Sequence, residues 1–212
     1  MSPAVKKRGR AATPAAGKAP RAASATKPRP VPGRKAGANE PARHAPRTLT
    51  EFMAQAWAME IEAAQRYTDF ADAMETHNNL EVAAMFRTMA QYEAKHAEQI
   101  LAEMGWSEPP VVQRGDLRWP GFEAPETAPI DEVHYLMQPW HALQLALAAE
   151  KAAERFFREL ARVAPSESVR RAAKELQAEE REHVLLVKAW MKKVPKPDPD
   201  WANDPDPARY TD

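Results

Sequence analysis

Two short stretches, Glu93-Ala-Lys-His96 and Glu180-Arg-Glu-His183, decide how this sequence is interpreted. Residues three positions apart share one face of an α-helix, so each Glu-x-x-His pair can direct a carboxylate and an imidazole at the same ion. A single pair means little in a chain this rich in glutamate, where a solvated helix face is the simpler explanation. The surroundings of each pair therefore carry the argument.

Both pairs interrupt an apolar stripe near the middle of a predicted helix. Glu93 lies four residues from Met89 and from Ala97, with Phe86 and Ile100 one heptad away on either side. Glu180 is surrounded in the same way, by Ala173, Leu176, Val184 and Val187. Because a buried, unpaired carboxylate costs free energy, an inward-facing one is expected to be paired or to bind metal.

The spacing of apolar residues predicts four long helices, spanning 49–76, 79–104, 139–163 and 167–193. Residues typical of helix ends lie at these boundaries. They are Thr48 with Glu51, Asn78 with Glu81, Gly105, Pro139, Ser166 and Pro195. Only two to four residues join the first two helices, so we predict that these form an antiparallel hairpin.

The proline-rich segment 105–130 separates predicted helices 2 and 3, and a short helical turn is expected around 131–137. Extended chain advances about 3.3 Å per residue against about 1.5 Å in a helix, so this segment can run the whole length of a bundle. A long crossover at this point distinguishes ferritin-like bundles from simple up-down bundles. We therefore predict an all-α, ferritin-like four-helix bundle over 48–193.

Helices 1 and 3 each add one carboxylate to the predicted interior. Glu60 lies between Trp57 and Ala64, and Glu150 lies in the stripe of helix 3. Glu60 precedes Glu93 by 33 residues and Glu150 precedes Glu180 by 30, which indicates two hairpins related by an approximate two-fold axis. Two-metal helical bundles have this ligand pattern: two helices each supply one glutamate, and the other two each supply a Glu-x-x-His pair. The predicted ligands are Glu60, Glu93, His96, Glu150, Glu180 and His183.

Other residues with suitable chemistry are predicted to lie away from this site. The surface candidates are Asp131, His134, His44, His77, Glu62, Glu154, Glu179 and Glu182. Tyr67 follows Glu60 by two helical turns on the same face. Tyr67 is either a core aromatic residue or a hydrogen-bond partner of a ligand carboxylate. The equivalent position after Glu150 is Phe157.

The formal net charge of zero conceals two oppositely charged parts. Residues 1–47 carry twelve Lys and Arg against one Glu, a net charge of +11, so the remainder carries −11. With almost no large apolar side chains, this segment is predicted to be a disordered tail that can bind DNA, RNA or another polyanion. A purely solubilising tail is an equal alternative. The Pro- and Asp-rich segment 194–212 is predicted to be extended or disordered.

The composition excludes several kinds of chemistry. The chain has no cysteine, so disulfides, thiolate zinc sites, iron–sulfur clusters and a cysteine nucleophile are excluded. Any metal must therefore bind to His, Asp and Glu. No stretch has the length and apolarity of a membrane span or a signal peptide, and a cytoplasmic location is expected.

Residues 48–193 resemble the rubrerythrin and bacterioferritin branch of the ferritin-like superfamily, through the paired Glu-x-x-His motifs with Glu60 and Glu150. The stretch Ala-Leu-Ala-Ala-Glu150-Lys-Ala-Ala-Glu-Arg-Phe-Phe resembles the third helix of rubrerythrins, and Glu60 followed by Tyr67 resembles their first. Two positions depart from these families. Ala153 stands where rubrerythrins usually carry a further glutamate, and the rubredoxin cysteines are absent. Ala94 stands where bacterioferritin carries its haem-ligating Met, so no haem is implied.

The resemblance implies two bound iron ions, with manganese possible. Glu93 and Glu180 would bridge the ions, Glu60 and Glu150 would bind one each, and His96 and His183 would complete the two halves. The implied activity is reduction of peroxide or O₂, or oxidation of Fe(II), with an external electron donor and a homodimeric chain. Two alternatives remain open: an iron-storage shell, and a nucleic-acid-tethered protein that oxidises iron and limits oxidative damage.

Overall fold

The computed structural model describes residues 45–117, 119 and 121–204 of the 212-residue chain. The described residues form four long α-helices and two short 3₁₀ turns, with no β-strand among them. The helices are α1 (Leu49–Thr76), α2 (Leu80–Met104), α3 (Pro139–Val163) and α4 (Glu167–Met191). The turns are Arg114–Asp116 and Ile130–Glu132. The predicted all-α bundle with a long crossover between the second and third helices is confirmed.

Local capping interactions explain where the first two helices begin. The Thr48 hydroxyl accepts a hydrogen bond from the Glu51 backbone N–H at 3.1 Å, as a helix N-cap requires. The prediction that Asn78 caps α2 is wrong by one residue. The cap is Asn79, whose side-chain oxygen accepts from the Val82 N–H at 3.4 Å. Asn78 instead adopts a left-handed conformation with φ of 58°, which lets the chain reverse between α1 and α2.

The remaining helix ends follow the predicted residues with one difference. Gly105 ends α2 with a left-handed φ of 63°, a conformation that glycine adopts without a Cβ clash. Pro139 occupies the first position of α3, where its missing N–H is not needed. Ser166 precedes α4 as predicted, but its side chain makes no capping hydrogen bond.

The buried apolar side chains form two clusters. The first combines the start of α1 and α4 with the end of α2 and α3, around Phe52, Ile100, Phe157 and Val169. The second combines the opposite helix ends, around Phe70, Phe86, Leu143 and Val187. Because α1 runs antiparallel to α2 and α3 to α4, the clusters occupy the two ends of the bundle. The layer between them, at mid-height, contains the carboxylates of all four helices.

The crossover is attached to the outer face of α1 at 123–128. Glu62 accepts hydrogen bonds from the Ala124 backbone N–H at 2.9 Å and from the Thr127 hydroxyl at 3.1 Å. Arg66 donates to the carbonyl of Ala128 and to the Glu123 carboxylate. We call Glu62 and Arg66 the crossover clamp. The prediction that Glu62 is a surface residue is therefore wrong, because it is half-buried beneath the crossover.

The C-terminal segment packs on the bundle as far as it is described. The ring centroids of Trp201 and of His141 on α3 are 3.9 Å apart. Val194 and Trp201 also contact the second apolar cluster. The Tyr135 hydroxyl donates to the Asp204 carboxylate. The tail predictions for 1–44, including His44, and for 205–212 lie outside the described residues. No helix in the described part of the chain has the length and apolarity needed to cross a membrane.

Candidate metal centre

The structure brings the six sequence-predicted residues together as two triads at mid-height in the bundle. Each triad has one donor atom per residue, and these atoms lie within 4.8 Å of one another. His96 Nδ1 lies 3.5 Å from Glu60 Oε2 and 3.3 Å from Glu93 Oε2. In the other triad, His183 Nδ1 lies 3.4 Å from Glu150 Oε2 and 3.3 Å from Glu180 Oε2.

The two triads are nearly equivalent in space. The imidazole rings of His96 and His183 stack with centroids 4.3 Å apart and planes inclined by only 1°. An approximate two-fold axis between the hairpins produces such parallel imidazole rings and matching carboxylate–imidazole distances. The near-equal sequence spacings of the triad residues have their physical origin in this symmetry.

The triad carboxylates are buried with few hydrogen bonds from the protein. The four glutamates are only 2–6% exposed. One oxygen each of Glu60, Glu93 and Glu150, together with His96 Nδ1, has no hydrogen-bond partner among the described residues. The carboxylate–imidazole contacts are within ion-pair distance, but only His183 with Glu180 satisfies hydrogen-bond geometry. Buried carboxylates with so few hydrogen-bond partners are expected to be neutralised by a cation or by protons.

The donor spacing fits a metal ion. Two donors bound at about 2.1 Å and separated by 90–109° lie about 3.0–3.4 Å apart. The carboxylate–imidazole distances of 3.3–3.5 Å in the two triads lie at the upper end of this range or 0.1 Å beyond it. Carboxylate oxygens with imidazole nitrogens suit Fe(II) or Mn(II), and Zn(II) can also bind such a set. The residues present therefore fit a two-metal centre.

A fifth buried carboxylate, Glu126, joins both triads and was missed by the sequence analysis. It lies in the crossover, is 1% exposed, and neither of its oxygens has a hydrogen-bond partner in the part of the chain that the structure describes. It offers a donor atom within 4.8 Å of those of Glu60 and Glu180, and likewise of Glu93 and Glu150. The available sequence hint was Ala153, since a missing helix-3 glutamate leaves space for a carboxylate from elsewhere.

Burial raises the pKa values of the clustered carboxyl groups. Together with repulsion from neighbouring carboxylates, burial raises the pKa of Glu93 to about 7 despite the opposing effect of His96. The same causes raise the pKa of Glu126 well above its ordinary value. Burial, opposed by His183, likewise raises the pKa of Glu180. The metal-free cluster therefore retains protons on acids that are ordinarily ionised at neutral pH.

The two histidines are shifted by the same carboxylates. Burial alone would lower the pKa of His96, but the close contacts with the Glu60 and Glu93 carboxylates and their negative charge outweigh it and raise the pKa to about 10. The two triad carboxylates raise the pKa of His183 to about 11 against the same effect of burial. Since a metal ligand must be deprotonated, metal binding would release protons from both imidazoles.

Tyr67 belongs to the second apolar cluster and lies beside the clustered carboxylates. Its ring stacks on Phe86 at 6.1 Å, and its hydroxyl has no hydrogen-bond partner within the described residues. Burial, then the charges of Glu93, Glu150 and Glu126, raises the pKa of Tyr67 well above its ordinary value. The anticipated hydrogen bond to a ligand carboxylate is thus not formed here, and a functional role for Tyr67 stays a prediction.

The other candidates named from the sequence lie away from the triads. His134 Nδ1 accepts from the Leu136 N–H, and His77 is the exposed C-cap of α1. Glu179 and Glu182 are exposed on α4. Neither these residues nor Asp131 and Glu154 belong to the Glu/His groups found among the described residues.

One cleft reaches the triads from the surface. It has a volume of about 180 Å³ and is lined by residues of α2, α3 and α4, including Glu93, His96, Glu150 and His183. The side chains of His96 and His183 are 19% and 23% exposed, so the imidazoles form the accessible part of the site. A larger cleft of about 480 Å³ lies between α3 and Trp201 and contains none of the clustered carboxylates.

A four-helix bundle with a long crossover and two Glu/His triads at mid-height has the architecture of ferritin-like two-metal proteins. The family model described as Rubrerythrin matches residues 51–126, which span α1, α2 and the crossover up to Glu126. The chain is also similar to a solved structure, an uncharacterised conserved protein from Magnetospirillum magnetotacticum MS-1. The identity is 38%, over 71% of this chain and 98% of that one, with a TM-score of 0.52.

The chain belongs to the rubrerythrin family of ferritin-like proteins. A search of curated proteins gave no match.

Proposed function

We propose that the protein is a di-iron oxidoreductase that reduces peroxide or O₂, oxidises Fe(II), or does both. The observation that carries this proposal is the pair of buried, nearly symmetric Glu/Glu/His triads, in which several donor atoms have no hydrogen-bond partner among the described residues. Two reduced irons held by carboxylates supply two electrons to a small oxidant. Manganese is the second candidate metal, because it prefers the same ligands.

In the proposed site, each metal would have one glutamate and one histidine of its own. Glu60 and His96 would hold one ion, and Glu150 and His183 the other. Glu93 and Glu180 would bridge the ions. In support of bridging, Glu93 shares a group of close donor atoms with Glu150 of the other triad, and Glu180 shares one with Glu60.

The surrounding residues favour a small oxidant over an organic substrate. Clefts that bind drug-sized molecules have volumes of about 300–1,000 Å³. The cleft that reaches His96 and His183 has a volume of about 180 Å³. The apolar clusters at both ends of the bundle exclude bulk water from the remaining faces of the triads. This arrangement admits peroxide or O₂ and restricts larger molecules.

Electrons for repeated turnover would come from outside the chain. The sequence contains no cysteine, so an iron–sulfur or rubredoxin-type relay cannot be part of it. We propose an external donor that approaches the cleft where the imidazoles of His96 and His183 are accessible. The proposed location is cytoplasmic.

An anaerobic Fe(II) titration of the full-length protein, followed by O₂ or H₂O₂, tests the proposal. We expect saturation at two irons per chain and near-ultraviolet charge-transfer absorption on oxidation. Glu93→Ala and His183→Ala should abolish both, whereas the exposed control Glu182→Ala should abolish neither. Failure of the wild-type protein to bind iron stoichiometrically would contradict the proposal. Comparing oxidation rates with H₂O₂ and O₂ identifies the preferred oxidant.

Oligomeric size separates turnover from storage. We propose a homodimer, whereas an iron-storage function requires a large shell with an internal cavity. Sedimentation of the full-length protein distinguishes these, because a dimer and a shell differ many-fold in mass. A shell that retains many irons per chain after oxidation would favour the storage alternative.

The basic N-terminal tail supports a second proposal, that this tail tethers the iron-oxidising four-helix bundle to nucleic acid. The observation in favour is the net charge of +11 within residues 1–47. Filter binding of DNA and RNA across salt concentrations tests it, because each neutralised phosphate steepens the salt dependence by about 0.9 on a double-logarithmic plot for B-DNA. Deletion of 1–47 should remove both the binding and the slope. Unchanged binding after deletion would contradict tethering.

A further inference from the structure

The geometry points to Glu126 as a seventh protein ligand of the two-metal centre, supplied by the crossover rather than by a helix. The inference rests on the proposed two-metal site and adds one residue to it. Glu126 would contact both metals, since its donor atoms lie close to donors from each triad.

Burial is the first argument. Glu126 is the only one of the five clustered carboxylates of which both oxygens are fully buried and without a hydrogen-bond partner within the described residues. It is 1% exposed, so water does not solvate it from the surface. A carboxyl group in this state destabilises the fold unless a cation or proton compensates. The compensating cation is already implied by the two adjacent triads.

Placement by specific hydrogen bonds is the second argument. The crossover clamp holds the chain on both sides of Glu126. Glu62 accepts from the Ala124 N–H and the Thr127 hydroxyl, and Arg66 donates to the Ala128 carbonyl. The Thr127 N–H also donates to the Ala124 carbonyl at 3.0 Å, which closes a turn with Glu126 within it. A simple linker between α2 and α3 does not need a turn pinned to α1 at three points. These contacts orient the Glu126 side chain towards the interior.

Position between the triads is the third argument. Glu126 shares one group of close donor atoms with Glu60 and Glu180, and another with Glu93 and Glu150. Each of these groups contains one carboxylate from each triad. A ligand that served only one metal would be close to the donors of only one triad. Glu126 also does not line the cleft, so it would bind the metals from the buried side.

The negative charge of Glu126 determines its expected effect on metal binding. Four ionised triad glutamates neutralise two divalent ions, and an ionised Glu126 adds a fifth negative charge. The fifth carboxylate therefore strengthens cation binding and favours trivalent over divalent iron. Replacement by glutamine keeps the shape of the side chain and removes this charge.

Metal binding by Glu126→Gln in the full-length protein tests the inference. Mn(II) affinity is measured by competition with a chelator, and Co(II) absorption reports the coordination of both metals. We expect Glu126→Gln to bind two ions per chain with affinity lowered at least about tenfold and with altered Co(II) bands. Glu126→Asp, which keeps the charge on a shorter side chain, should recover part of the affinity. Glu132→Gln, an exposed carboxylate of the same crossover, is the matched control and should leave both readouts unchanged.

The possible outcomes separate this inference from the proposed function. Wild-type affinity and wild-type Co(II) bands in Glu126→Gln would overturn the role of Glu126 and leave the two-metal site intact. Absence of stoichiometric binding by the wild-type protein would overturn the site itself. The metal-free Glu126→Gln protein should retain its thermal midpoint, because the carboxyl makes no hydrogen bond that the amide loses. Failure of that variant to fold without metal would assign Glu126 a structural role and contradict the inference.

Discussion

The two helical hairpins, α1–α2 and α3–α4, are alike where they face the metal site and unlike elsewhere. Each hairpin supplies two glutamates and one histidine. The matching carboxylate–imidazole distances of the two hairpins differ by at most 0.1 Å. Several residues that follow the first glutamate of each hairpin at equal offsets do not match. The unlike pairs are Glu62 and Ala152, Arg66 and Phe156, and Tyr67 and Phe157.

The difference follows from the path of the chain. A single crossover connects the hairpins, and it contacts the outer face of α1 through Glu62 and Arg66. Within the described residues, no second crossover contacts α3 in the same way, so Ala152 and Phe156 need no polar partner there. The two triads are nearly two-fold symmetric, whereas the crossover breaks that symmetry around them. The predictions below test each side of this comparison.

The largest expected effect is on metal affinity, and it should be equal in the two hairpins. His96→Ala and His183→Ala each remove one direct donor, so each should lower Mn(II) affinity by more than about 100-fold. Competition with a chelator measures both values, and the exposed His77→Ala serves as control. A large drop for one histidine and a small drop for the other would break the proposed equivalence of the triads.

The second prediction concerns the stability of the metal-free protein against pH. The pKa of Glu93 rises from 4.5 to about 7 and that of His96 from 6.5 to about 10, so the folded state binds more protons than the unfolded state in these windows. Stability should therefore fall as pH rises from about 4.5 to about 10. Thermal melts of metal-free protein at a series of pH values measure this trend.

The control for the pH trend is the double variant His96→Gln/His183→Gln. It lacks both imidazoles, so its loss of stability above about pH 6.5 should be weaker than that of the wild type. Saturating Mn(II) should also reduce the trend, because bound metal takes the place of the protons. A metal-free protein that becomes more stable over this range would contradict the assignment.

Removing the crossover clamp should have a moderate effect that is confined to one hairpin. Glu62→Ala deletes the acceptor of two hydrogen bonds, and we expect a loss of about 1–3 kcal/mol in unfolding free energy. Urea denaturation measures this loss, with the exposed Glu182→Ala as control. Because Glu126 lies within the clamped turn, Glu62→Ala should also weaken metal binding. Unchanged stability and affinity would show that the clamp does not hold the crossover.

The smallest effect is expected for Tyr67→Phe, at a position where the two hairpins differ by one hydroxyl. Tyr67→Phe removes a buried hydroxyl without a hydrogen-bond partner in the described structure, so stability should stay equal or rise by up to about 1 kcal/mol. Phe157→Tyr places a hydroxyl at a fully buried apolar position and should cost about 1–3 kcal/mol. Urea denaturation of both variants provides the comparison. A large loss for Tyr67→Phe would indicate a partner that this structure does not contain.

Local regularity explains the success of the helix predictions. The bounds of α1 and α3 agree with the predicted ones, and those of α2 and α4 differ by one or two residues. The shift at α2 arises because Asn78 and Asn79 are equally good caps by composition. Backbone conformation decides between them, and a local sequence rule does not contain that information. The second mismatch, the partial burial of Glu62 beneath the crossover, depends on contacts with residues more than 60 positions away.

The sequence by itself determined the bundle and the identity of the six triad residues. Helical periodicity places Glu93 and His96 on one face, and the apolar neighbours show that this face is inward. Their binding of metal stays a prediction. Only the tertiary structure revealed Glu126, because the extended crossover has no periodicity that tells which side chain points inward. Its orientation is decided by hydrogen bonds that the crossover donates to Glu62 and accepts from Arg66, and such long-range contacts exist only in the folded chain.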